Sequence, residues 1–173
     1  MSDGLDVSRL SPGDAVAALR SYPRRFRGLL TSLDEDERSD DLVHRAGPDG
    51  LSAVEHADHA ARSMAILGEA LRQVLVQDEP TLLPAVADDS AREWQMAAQP
   101  SSLDAVLDFL SVECNALGDL VERTSAEAWA RKGVVAGSGQ RMTALDIVRE
   151  AVRTGSDHLR AAERSIQAAK KTL

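Results

Sequence analysis

A chain of 173 residues with 43% apolar side chains is long enough to bury a core and short enough to form one domain over residues 1–173. Its 28 acidic and 20 basic side chains leave a formal charge of −8, which repels phosphate backbones and argues against nucleic acid as a partner. Aromatic content of only 3%, a single cysteine and no apolar run of about 18 residues point to an all-α, cytoplasmic protein without a disulfide and without a membrane partner. The opening MSDGLDVSRL has no basic region followed by an apolar one, so no signal peptide is expected.

Four segments carry helical periodicity, and each opens on a hydroxyl residue followed by an acid, the pattern of a capping box. Ser11-Pro12-Gly13-Asp14 opens the first, with Leu19, Phe26, Leu29, Leu30 and Leu33 on its apolar face and Pro23 placed to kink it. Arg20, Arg24, Arg25 and Arg27 on this helix read as a solvated face balanced by the acidic run from Asp34 to Asp41. A further helical turn is expected at Leu33–Arg38, and His44 falls in a polar, exposed connection.

Ser52-Ala53-Val54-Glu55 opens the second helix, whose Ala60, Met64, Leu67, Leu71 and Val74 keep spacings of three and four to about Gln77. After a long connection, Ser101-Ser102-Leu103-Asp104 opens the third, with Val106, Leu107, Leu110, Cys114, Leu117 and Val121 along one stripe. Cys114 on that stripe reads as a small buried hydrophobe, since nothing beside it lowers a thiol pKa. A short helical turn is expected at Ser125–Lys132. The following GVVAGSGQR has the glycines of a phosphate cradle, but it lacks the Lys-Ser/Thr ending of a P-loop and no strand is expected before it. Thr143-Ala144-Leu145-Asp146 opens the fourth helix, with Ile147, Val148, Ala151, Leu159, Ala162 and Ile166 inward and Lys170 and Lys171 at its negative end. Connections of this length permit a crossover between parallel helices.

The helical histidines carry the functional signal. On a helical wheel His56 falls near the Ala60–Met64–Leu67 core stripe, while His59 lies on its flank with Ser63 and Ile66, and Glu55 stands one turn before His59. On the fourth helix His158 shares an inward stripe with Ile147, Ala151, Thr154 and Ala162. Two inward histidines on different helices suggest one site; from the residues alone, hydrogen-bonded core histidines and ligands both stay open. Asp157 points about 100° away from His158 around the helix, so an Asp–His general base is not favoured.

The order of these segments resembles the DinB/YfiT-like superfamily. AVAALRSYPRRFRGLLTSL with its mid-helix Pro is followed by the acidic DEDER, and LSAVEHADHAAR is similar to W-S-x-x-E-x-x-x-H-x-x-D at Ser52, Glu55 and His59, with Leu51 at the Trp and Arg62 at the Asp. The third helix, Trp129 and the Gly-then-Thr-Leu entry to the fourth helix continue the resemblance over nearly the whole chain. It implies a four-helix bundle in up-down-down-up order, with the second and third helices parallel. It also implies a divalent metal, nickel or zinc, held by one histidine of the second helix and an H-x-x-x-H pair of the fourth. Those positions fall on His59, Thr154 and His158, a degenerate triad in which Thr154 supplies a hydroxyl in place of an imidazole. Glu55, or a carboxylate from a loop, can complete a two-histidine, one-carboxylate set with open positions for water or substrate. Relatives of this kind include transferases and isomerases that use a low-molecular-weight thiol such as mycothiol or bacillithiol, and a homodimer is the family habit. The alternative is a non-catalytic bundle that binds a small molecule or dimerises.

Overall fold

The computed structural model describes residues 4–31, 39–96 and 102–172. In chain order these form α1 (Pro12–Thr31), α2 (Ser39–His44), α3 (Ala53–Val76), β1 (Thr81–Leu82), a 3-10 turn at Pro84–Val86 and α4 (Asp89–Glu93). Then come α5 (Leu103–Arg123), a second 3-10 turn at Ala126–Ala130, β2 (Lys132–Val135), β3 (Arg141–Thr143) and α6 (Ala144–Lys171). The four long helices α1, α3, α5 and α6 make an all-α bundle, and among the described residues no helix is long and apolar enough to cross a membrane.

Local chemistry explains where the helices start. The Ser52 hydroxyl accepts from the Glu55 N–H at 3.2 Å while the Glu55 carboxylate accepts from the Ser52 N–H at 2.7 Å, and Thr143 and Asp146 close the same box on α6. Ser11 and Asp14 pair likewise at the head of α1. The cap of α5 is Ser102, whose hydroxyl accepts from the Ala105 N–H; Ser101, Leu33 and the helical turn expected at Leu33–Arg38 lie outside the described residues.

Each long helix packs on two neighbours, α3 on α6 and α5, and α1 on α5 and α6. Their directions follow from the ends. The loop before α3 meets the end of α6, where Arg45 donates to Thr172 and the Ser165 hydroxyl donates to the Leu51 carbonyl, so α3 and α6 are antiparallel. Beyond the C-terminal end of α5, Arg131 donates to the carbonyls of Val74 and Gln77 at the end of α3, so α3 and α5 run the same way. One continuous core results, with Leu19, Tyr22 and Phe26 of α1, Met64 and Leu67 of α3, Leu110 and Leu117 of α5, and Ile147 of α6 almost fully buried. Cys114 lies inside it, where burial pushes its thiol up to about 12 and removes it from thiolate chemistry. Among the described residues, Arg20 of α1 pairs across to Asp119 and Glu122 of α5 and Arg27 to Asp108, while most of the acidic run from Asp34 to Asp41 lies outside the described residues.

The absence of a strand before GVVAGSGQR is corrected by the structure. β2 leads into this segment and β3 leaves it as an antiparallel hairpin, turned by Gly137 and Gly139 at φ of +84° and +70°, and β1 adds to β2 in parallel. At two to four residues the strands are too short for alternation to be read from sequence. They lace together the chain beyond the C-terminal ends of α3 and α5.

Close approach of α6 to α1 and α3 depends on Gly155, where a Cβ would stand 2.5 Å from Tyr22 Cε2 and 2.9 Å from Met64 Cε. Gly155→Ala is expected to lower stability by about 1–2 kcal/mol, because overpacking outweighs the roughly 1 kcal/mol that alanine gains over glycine in a helix. Gly68→Ala, whose Cβ would meet only Arg72 nitrogens at 3.9 Å, should instead be neutral or stabilising. Urea denaturation of the two variants checks the contrast.

Candidate functional site

A cavity of about 420 Å³ opens between α3 and α6. Its floor is His56, His59 and Ser63 from α3 with Thr154 and His158 from α6; Asp49 and Leu51 come from the loop before α3, and Arg92, Glu93 and Met96 from α4 and the residues after it. The imidazoles of His59 and His158 meet edge to face, with ring centroids 5.8 Å apart and planes at 87°, and Thr154 is buried beside them. Antiparallel packing of α3 on α6 brings the two rings together, since each sits on the face its helix turns to the other.

Glu55 stands apart from this group. One of its oxygens accepts from the Ser52 N–H in the capping box, and the residue is not among those lining the cavity. The residue that sequence reasoning passed over is His56. Its Nδ1 lies 3.3 Å from His158 Nδ1, and its Nε2 lies 3.1 Å from an oxygen of Asp49. The helical wheel had placed His56 toward the core, where it is indeed buried. The Pro-Asp-Gly turn just before the helix was the available sign that a carboxylate could fold back over it.

One wall is fixed by ion pairs. Arg92 is only 2% exposed; it donates to the carbonyls of Ala85 at 2.8 Å and Val86 at 3.2 Å and pairs with Glu150 at 2.6 Å and with Asp89. Arg153 joins Asp89 and Glu150 and reaches Asp157 at 2.8 Å. A buried guanidinium satisfied on both edges holds α4 against α6, because losing any partner would strand a charge out of water. Neither Arg92 nor this strut was visible in the sequence, where it lies in a segment without periodicity.

The model of the DinB superfamily matches residues 17–162. The chain belongs to the DinB superfamily. Among solved structures, the DinB protein described here superposes with a TM-score of 0.74 on YfiT from Bacillus subtilis, described as a probable metal-dependent hydrolase with an unusual four-helix bundle topology. That match covers 95% of this chain and 89% of YfiT at 12% identity, which speaks for the fold. No curated protein sequence matches the chain.

The donor set of this DinB protein does not fit a three-histidine ion. Among the described residues no three His, Cys, Asp or Glu side chains converge closely enough to hold a metal, and the side chain one turn before His158 is the Thr154 hydroxyl. Burial nonetheless favours the neutral form of the three imidazoles in the cleft. Burial pushes His158 down to about 3, with the neighbouring His56 and His59 adding to the effect, and burial also lowers His56 and His59 despite the opposing charges of Asp49 and Asp58. Asp49 loses hydration too, but the Leu51 N–H and His56 hold its carboxyl below the usual range.

A histidine held neutral in the native state and free to protonate when unfolded makes the unfolded chain bind more protons. Stability is therefore full above the ordinary histidine value of 6.5 and falls as pH drops below it, down toward the native value of about 3 for His158. Each such imidazole contributes at most about 1.4 kcal/mol per pH unit in that window. Urea midpoints should fall between about pH 7 and pH 5, before most carboxylates titrate. His158→Leu should flatten that fall.

Proposed function

We propose that the cleft between α3 and α6 binds a small polar molecule, and that its imidazoles act as hydrogen-bond acceptors. The observation that carries this reading is a pair of buried polar atoms without any partner, His59 Nδ1 and Ser63 Oγ, both on residues lining the same cavity. Leaving such groups unpaired costs about 1–3 kcal/mol each, and a ligand that brings a donor to them recovers it. Ser63 lies one turn beyond His59 on the same face of α3, so one small molecule can reach both.

The depressed pKa values favour recognition over proton transfer. A general base works best with a pKa near the operating pH, and His158 at about 3 is far too acidic when protonated to carry a proton at neutrality. A low-molecular-weight thiol, the partner implied by the family resemblance, suits the site: unassisted, it is mostly S–H at neutral pH and presents a donor. Metal-assisted thiol transfer or hydrolysis of the kind suggested by YfiT's description requires a further donor, which Thr154 does not supply.

Titration of the protein with bacillithiol and with mycothiol, followed by calorimetry and by the histidine ring signals in NMR, tests the reading. One of the two should shift the His59 and His158 rings, and Ser63→Ala should weaken its binding by about 5–10-fold, the worth of one hydrogen bond. Silence with both thiols up to millimolar concentration, or an affinity unchanged in Ser63→Ala and His59→Phe, would contradict it.

A further inference from the structure

His56 is bound at both nitrogens, and the order of its partners decides the state of His158. Asp49 carries a carboxylate, an acceptor only, so the His56 Nε2 that approaches it at 3.1 Å bears the proton. At pH 7.5, above the ordinary imidazole value, His56 holds one proton, and with that proton on Nε2 its Nδ1 is a bare lone pair. Facing it at 3.3 Å is His158 Nδ1, and two lone pairs would repel, so His158 carries its proton on Nδ1 and donates to His56. The remaining nitrogen of His158, Nε2, is then the unprotonated one. His158 lines the cavity and is part-exposed, which leaves Nε2 as the polar atom it offers there.

The anchor of this chain of bonds is built into the backbone. Asp49 sits in a tight turn closed by Gly47 N–H to the Leu51 carbonyl at 2.8 Å and Gly50 N–H to the Gly47 carbonyl at 3.0 Å, with Gly50 at φ +88°. The Leu51 N–H donates to Asp49 Oδ1 at 3.2 Å and fixes the carboxylate. The turn is pressed onto α6, where a Cβ on Gly47 would fall 2.1 Å from Ser165 Oγ and 2.8 Å from Ser165 Cα. Asp49 therefore cannot drift far from His56 without undocking the loop.

We infer that Asp49 and His56 are positioning residues that select the tautomer of His158 and so present its Nε2 lone pair to whatever occupies the cleft. The inference rests on the small-molecule reading above for its purpose, but it concerns the ligand-free protein and is measured there. A group one hydrogen bond removed that fixes which nitrogen of a histidine is bare sets what that histidine can recognise. Here the occupant must bring a donor to His158, as it must to His59, and an anion that offers only lone pairs is rejected.

The measurement is a long-range proton–nitrogen correlation spectrum of protein labelled with nitrogen-15 in histidine, recorded near pH 7.5 without thiol or metal. The expected result is His56 in the Nε2–H form and His158 in the Nδ1–H form, each as a single tautomer. Asp49→Ala frees His56 to hold its proton on either nitrogen, and His158 should then become a mixture while the backbone spectrum stays in place. His56→Leu removes the acceptor altogether and should shift His158 to the same mixture. Nε2–H on His158 in the unmodified protein would overturn the inference, as would a His158 tautomer untouched by Asp49→Ala. Because Asp49 is half-exposed in a loop, its variant keeps the test decisive even where His56→Leu fails to fold. Failure of both thiols to bind would leave this spectrum unchanged, so the two readings fall separately.

Discussion

The site depends on α3 and α6 lying antiparallel and close. That approach places His56 against His158 and His59 edge-on to it, and it is set by small residues, with Gly155 taking the contact of Tyr22 and Met64 that a side chain would block. It also determines the electrostatics. Imidazoles enclosed by apolar helix faces lose the hydration that supports a positive charge, so each sheds its proton, and proximity to one another deepens the effect at His158. A cleft floored by neutral rings is rich in lone pairs at neutral pH, and its polar specificity follows from that.

Around this contact the rest of the molecule acts as support. The turn through Asp49 docks on the end of α6 and closes one edge, while Arg92 and Arg153 clamp α4 to the other. The three short strands tie the chain beyond α3 to the chain beyond α5, which keeps those two helices parallel. The scaffold is that of the DinB superfamily, and the floor of its cleft combines three histidines with Ser63 and Thr154.

Much of the scaffold was legible because its signals are local. Ser52 with Glu55 and Thr143 with Asp146 announce helix starts within four residues, and the stripes through Met64–Leu67–Leu71 and Leu107–Leu110–Cys114 fix which faces go inward. His59 and His158 could be placed on facing stripes for the same reason. His56 was hidden by that very logic, since a histidine on a core stripe looks like packing until the loop residue that bonds it is known. Arg92 was hidden more completely: its partners Ala85, Val86 and Glu150 are joined by tertiary contact alone, and no period or cap marks them. Strands as short as β1 and β3 leave no alternation to read.

The central proposal is that the cleft works through neutral imidazole acceptors and holds no metal tightly. Its most direct test is titration with zinc and with nickel of protein purified without a polyhistidine tag, set beside Thr154→His, with metal content determined after dialysis. Thr154→His adds a nitrogen donor one helical turn from His158, and it should retain close to one equivalent while the unmodified chain retains well under one. A full, tightly held equivalent of metal in the unmodified chain would contradict the account.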